Sequence, residues 1–111
     1  MFEKNLEINY LLDFYGYVLP ERKRNVLDMY YNEDFSLAEI SEEIGISRQG
    51  VRDIIKKAEE ELCFFESKLG LSKKMTELES MSDSLLSLAT QNNAPAIVCE
   101  GIAELKKRIE Q

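Results

Sequence analysis

There is no histidine among these 111 residues, and only two cysteines, two prolines and five glycines. Without histidine, and with Cys63 and Cys99 isolated, a standard four-ligand zinc site cannot be assembled. Two cysteines are too few for a disulfide framework, so both read as small buried apolar residues. The chain opens on no signal peptide, and no apolar run approaches the length of a membrane span. A cytoplasmic protein with reduced thiols is the simplest reading. The missing histidine also removes the commonest general base. No glycine-rich phosphate loop and no activated Ser or Cys arrangement stands in its place. An enzyme is disfavoured and no cofactor is expected.

Positive charge is short as well, with 14 basic against 21 acidic side chains and a net −7. That balance argues against broad nonspecific adhesion to nucleic acid or anionic membrane. Residues 1–19 carry −2, residues 20–62 carry −4 and residues 63–111 carry −1. Any DNA contact must therefore come from a local patch. Few stretches show the alternation or the β-branched and aromatic enrichment of strands, so the expected fold is all-α.

What is present is concentrated between Ser36 and Leu62. Leu37, Ile40 and Ile44 fall at i, i+3 and i+7 on one helical stripe. Gly45 follows where a helix end needs positive φ. Ile46 fills the turn, and Ser47 is a good N-cap for a second helix. That helix turns Val51, Ile54, Ile55, Ala58 and Leu62 inward. It leaves Arg48, Gln49, Arg52, Asp53, Lys56 and Lys57 outside. Ser41 is small enough for the two helices to cross closely. Ser36 caps the first helix, and Glu39 three residues later completes a capping box. The pattern is a helix-turn-helix unit. Such a unit presents the start of its second helix to the DNA major groove.

Around this unit the chain reads as further helices. Residues 6–19 are apolar on two stripes, Leu6/Tyr10/Phe14/Tyr17 and Ile8/Leu11/Leu12/Tyr15, which predicts a helix enclosed by neighbours. Pro20 suits the first turn of a second helix, with Val26, Leu27 and Tyr30 inward. Arg22, Lys23 and Arg24 form the densest basic run. They are phosphate-contact candidates beside the recognition helix, as are Ser36 and Lys57. The alternative is a solvated face paired with Glu21 and Asp28. No breaker follows Leu62 until Gly70, so the recognition helix runs on toward Leu69, with Phe64, Phe65 and Leu69 extending its apolar face. Ser72 and Asn93 are candidate caps for two later helices. Leu71, Met75, Leu78, Ser82, Leu85 and Ala89 follow the four-three spacing of a helical seam. Val98, Ile102, Leu105 and Ile109 supply the last apolar face. Lys106, Lys107 and Arg108 complement a helix C-terminus.

The resulting division is a helix-turn-helix domain with an N-terminal core helix over 1–69, and a C-terminal helical hairpin or assembly arm over 70–111. The hairpin has more apolar surface than a monomer of this size can cover, so a homodimer is expected.

The segment from Leu19 to Leu62, LPERKRNVLDMYY…SLAEISEEIGISRQGVRDIIKKAEEEL, resembles region 4 of bacterial sigma factors, which reads a promoter element. A fuller resemblance spans nearly the whole chain. NYLLDFY near the start, SRQGVRD at the recognition helix, ESKLGL at the hinge and the total length are similar to the YlxM-type helix-turn-helix family. Two features depart from it. The family often opens its second helix with Thr-x-x-Gln-Arg, where this chain has Leu19-Pro20-Glu21-Arg22-Lys23-Arg24. Gly50 also costs the recognition helix ~1 kcal/mol against Ala, a cost consistent with close approach to DNA or to a neighbouring helix. Genes of this family stand beside that of the signal recognition particle GTPase, which implies a role in that pathway.

Two functions follow. One is a regulator binding double-stranded DNA through Ser47, Arg48, Gln49, Arg52, Asp53 and Lys56. Arginine there suits guanine and Gln49 suits adenine. The other is a protein- or RNA-interaction module of the signal recognition particle machinery. In it, acidic faces carrying Glu39, Glu42, Glu43, Glu59, Glu60 and Glu61 meet a basic partner.

Overall fold

A computed structural model describes residues 5–110. Among the described residues the regular elements are all helices: α1 (Leu6–Tyr15), α2 (Glu21–Tyr31), α3 (Leu37–Ile44), α4 (Arg48–Leu69), α5 (Leu71–Gln91) and α6 (Ala96–Glu110). A 3₁₀ turn over Gly16–Val18 joins α1 to α2. The fold is all-α, and the chain divides into two compact units between Leu69 and Gly70.

In the first unit α4 is the element that α1, α2 and α3 all pack against. Its inward residues Val51, Ile55, Ala58 and Leu62 are fully buried. They meet Ile8, Leu11, Leu12 and Tyr15 of α1, Val26, Leu27, Tyr30 and Tyr31 of α2, and Ile40 of α3. Removing a side chain such as Leu62 from this core costs ~2–5 kcal/mol. Polar ties join the same helices. The Tyr31 hydroxyl donates to Glu59 Oε2 at 3.1 Å and accepts from the Asn5 N–H at 3.3 Å. Tyr15 donates to Glu66 Oε1 at 2.5 Å.

The helix α1 is not enclosed. Only the Ile8/Leu11/Leu12/Tyr15 stripe is buried, while Leu6 and Tyr17 are 84% and 87% exposed and Tyr10 40%. The unit covers one side of α1, so of the second stripe only Phe14 reaches the core, half-buried. Phe64 and Leu69 are likewise exposed, and only Phe65 of that group packs on the core. Cys63 is exposed and Cys99 half-buried, so neither is a core residue. Pro20 stands one position before α2, with extended ψ of 144°, and Glu21 is the first helical residue.

The second unit is an antiparallel pair, α5 and α6. Ser72 does not cap α5: Gly70, at φ 60°, precedes the helix and Ser72 lies inside it. Asn93 does not start α6 but ends α5. Its φ is 54°, and the N–H groups of Asn93 and Ala94 reach back to the carbonyls of Thr90 and Ala89. That is the Schellman arrangement, in which a left-handed residue satisfies the last carbonyls; asparagine tolerates the conformation better than most. Lys106 is more than a dipole partner, since its Nζ bonds Asp83 on α5 at 2.7 Å. That contact, led by the hydrogen bond itself, raises the Lys106 pKa. Ser82, in the seam, is buried and donates its hydroxyl to the Glu79 carbonyl at 2.8 Å.

Candidate nucleic-acid interface

The helix-turn-helix is fixed by side chains acting on backbone ends. Ser36 Oγ accepts the Glu39 N–H at 3.1 Å, and Glu39 Oε1 accepts the Ser36 N–H at 3.0 Å, the reciprocal box of a closed N-terminus. The Ser36 N–H first, and the Ser36 side chain after it, hold the Glu39 carboxyl below its ordinary pKa. Gly45 ends α3 at φ 72°, a conformation that penalises any Cβ. The Ile46 N–H then reaches the Ser41 carbonyl at 3.2 Å, and the Ser41 hydroxyl donates to the Ile46 carbonyl. The turn is thus closed from both sides, and Ser41 does more than leave room. Ser47 Oγ accepts the Gly50 N–H at 3.0 Å and starts α4.

Gly50 has a local reason. A Cβ there would lie 3.2 Å from Ile46 Cδ1 and 3.3 Å from Ser47 Oγ. Within the chain the close approach is to the turn's own plug and cap, and not to a neighbouring helix.

The outer face of α4 is a single stripe. Gln49, Arg52, Asp53 and Lys56 fall at i, i+3, i+4 and i+7, all exposed, with Arg48 and Lys57 exposed at its edges. Gln49 Nε2 donates to Asp53 Oδ1 at 3.1 Å. Among the described residues, none of Arg48, Arg52, Lys56 and Lys57 forms an ion pair. From Arg48 to Lys57 the strip spans ~14 Å of helix, comparable to the ~12 Å width of the major groove.

The remaining candidates are not equivalent to these. Lys23 Nζ is committed to Glu61 on α4 and is partly buried, and Glu61 is the partner in place of Glu21 or Asp28. Arg24 lines a small cleft with Asp13 and Asp28, away from the α4 stripe. Arg22 is exposed, on a shallow cleft that includes Ile44 at the end of α3. Ser36 has both its hydroxyl oxygen and its N–H engaged by Glu39. Ser47 is exposed, with its oxygen engaged in the cap. The tie of Gln49 to Asp53 was legible from i,i+4 spacing. The ties of Lys23 to Glu61 and Tyr31 to Glu59 span 38 and 28 residues and carry no local signal.

Comparison with known proteins agrees with this geometry. Residues 2–98 match the family described as "Putative helix-turn-helix protein, YlxM / p13 like", UPF0122. The chain belongs to the UPF0122 family. A UPF0122 protein of Thermoanaerobacter sp. strain X514 is 40% identical over 104 residues, covering 91% of this chain and 89% of the relative. One of Listeria innocua is 41% identical over 93 residues, 84% of each. One of Caldanaerobacter subterraneus is 54% identical over 68 residues, 61% of this chain and 58% of the relative. The matched span contains the entire helix-turn-helix and most of the second unit. Among the described residues of this UPF0122 chain, no group of three or more His, Cys, Asp or Glu gathers as a metal site. No described helix is long and apolar enough to cross a membrane.

Proposed function

We propose that this protein is a sequence-reading regulator of double-stranded DNA, with the head of α4 as its reading element. One observation carries the reading: Arg48, Arg52 and Lys56 stand outside, unpaired among the described residues, on a helix whose opposite face is locked in the core. Free cations on a rigid element are what base and phosphate contacts require. Arg52 and Gln49 take base edges; Asp53 holds one amide hydrogen of Gln49 and leaves its carbonyl and second hydrogen for adenine. Lys56, Lys57, Arg48 and Arg22 take phosphates. Lys23, Arg24 and Ser36 are left out of the contact set because their polar atoms are engaged or turned aside.

The test is selection of duplexes from a random pool by the purified protein at physiological salt. A recovered consensus bound ~10³-fold or more tighter than bulk DNA supports the reading. Enrichment of no sequence rejects it.

A second reading makes the protein a partner in the signal recognition particle pathway, by resemblance to the YlxM-type family. The exposed carboxylates Glu39, Glu42, Glu43 and Glu60 favour a basic partner surface. Glu59 and Glu61 do not belong to that face, being tied to Tyr31 and Lys23. Adding the particle's RNA and GTPase as competitors in the duplex assay separates the two readings.

A further inference from the structure

The second unit leaves one apolar face uncovered. On α5, Met75, Ser82, Leu86 and Ala89 are buried or half-buried beside α6. The adjacent stripe, Leu78, Met81, Leu85 and Leu88, is 38%, 67%, 46% and 55% exposed. Its spacing is three, four, three, the repeat of a helix seam seeking a partner helix. Leu105, 51% exposed, and Ile109 on α6 close the same groove. No residue of α6 is buried. A two-helix hairpin of this length has no interior of its own, whereas two such hairpins make a four-helix bundle.

Charge indicates what covers the groove. None of the four stripe positions on α5 is ionisable, and several charges of the unit pair with one another. Lys106 pairs with Asp83 and Glu110, and Arg108 with Glu104. Residues 70–111 carry five basic and six acidic side chains, while residues 1–69 carry nine and fifteen. The apolar face thus sits on the nearly neutral unit of an acidic protein. A strongly basic or acidic partner finds no complement there. A second copy finds a surface free of like charge at its centre, as a two-fold contact needs because like meets like across the axis. The exposed apolar area is on the order of several hundred Å², at the upper limit for a monomer's largest patch. A stable complex buries ~800 Å² per partner, and the stripe with Leu105, Ile109 and the flanking Ser80 and Ser84 supplies the centre of such a contact.

We infer that the chain is a homodimer formed by the α5/α6 faces of two copies, with Leu78, Met81, Leu85, Leu88 and Leu105 at the contact. The inference does not rest on DNA binding: a failed duplex selection leaves it standing, and its own failure leaves the reading head intact.

Sedimentation equilibrium of the full chain decides it. The expected species at tens of micromolar is twice the 12.8 kDa protomer. Leu85→Glu sets like charges against each other and weakens association ~100-fold or more, with far-UV helicity unchanged. Met81→Glu, at the most exposed position of the stripe, gives the same loss and serves if Leu85→Glu unfolds the hairpin. A wild-type monomer at all concentrations overturns the proposal, whatever else the groove is then found to hold. A dimer unmoved by Met81→Glu and Leu85→Glu overturns it too, because the contact then lies elsewhere.

Discussion

Gly50 is held against Ile46: a Cβ at position 50 would stand 3.2 Å from Ile46 Cδ1, at the plug of the turn. An unhindered helix position returns ~1 kcal/mol on replacing Gly by Ala. Here that gain is offset by crowding of Ile46 and of the Ser47 cap, so Gly50→Ala leaves stability within ~0.5 kcal/mol of wild type. Gly50→Val, branched at Cβ, destabilises by ~1–3 kcal/mol. Urea midpoints at constant slope measure both. A full 1 kcal/mol gain for Gly50→Ala would show that the turn is looser than described.

The box joining Ser36 and Glu39 is exposed, so its removal perturbs little else. Ser36→Ala costs ~1 kcal/mol and Ser36→Gly only a few tenths. DNA affinity per folded molecule should be unchanged, since the Ser36 N–H is bonded to the Glu39 carboxylate and its hydroxyl faces the same group. A loss of affinity in Ser36→Ala at full folding would return Ser36 to the contact set.

Arg52 and Lys56 are one turn apart on the same stripe, and the proposed DNA reading gives them different roles. Arg52→Ala weakens the selected duplex by ~1–3 kcal/mol and relaxes preference at one base position. Lys56→Ala weakens all duplexes about equally and lowers the salt slope by ~1. Competition titrations across a salt series distinguish the two patterns. Equal behaviour of the two variants would mean that Arg52 touches only backbone.

Lys23 and Arg22 are neighbours in sequence with different fates. Lys23→Ala removes a partly exposed pair to Glu61 and costs ~0.2–1 kcal/mol of stability, leaving the salt slope of DNA binding as it was. Arg22→Ala leaves stability alone and lowers that slope. Chemical denaturation and salt titration of both variants are the check; the reverse assignment would put Lys23 on DNA.

Tyr31 is pushed from 10.0 up to about 12, first by burial and further by the Glu59 carboxylate beside it, against the lowering contact from Asn5. Its folded-state pKa is raised, so the stability it contributes is complete below pH 10 and is lost as pH rises toward 12. The Glu59 pKa is raised as well, by burial, against the lowering bond from Tyr31. Tyr31→Phe should therefore flatten the fall in urea midpoint between pH 10 and 12. An unchanged alkaline limb would assign that fall to other groups.

Much of the molecule was legible along the chain because the determining interactions are short-range. The helix-turn-helix follows from residues within about ten positions of one another: the Ser36–Glu39 box, Gly45 in the left-handed region, Ser47 as cap, and the inward spacing of Val51 through Leu62. The outer stripe of α4 follows from the same periodicity, since a helix that buries one face must present the other. What periodicity cannot tell is which apolar stripe finds a neighbour. Two stripes of α1 look alike in sequence, and packing against α4 decides that Ile8, Leu11, Leu12 and Tyr15 are core while Leu6 and Tyr17 are not. Nor can it tell which cation is free. Lys23 and Arg22 are adjacent, yet only the approach of α4, bringing Glu61 from 38 positions away, takes Lys23 out of the basic strip. Local sequence was enough for the helices, the closed turn between α3 and α4 and the outward stripe of α4. The tertiary structure alone decided exposure and pairing, because both depend on surfaces that meet only after the helices have packed.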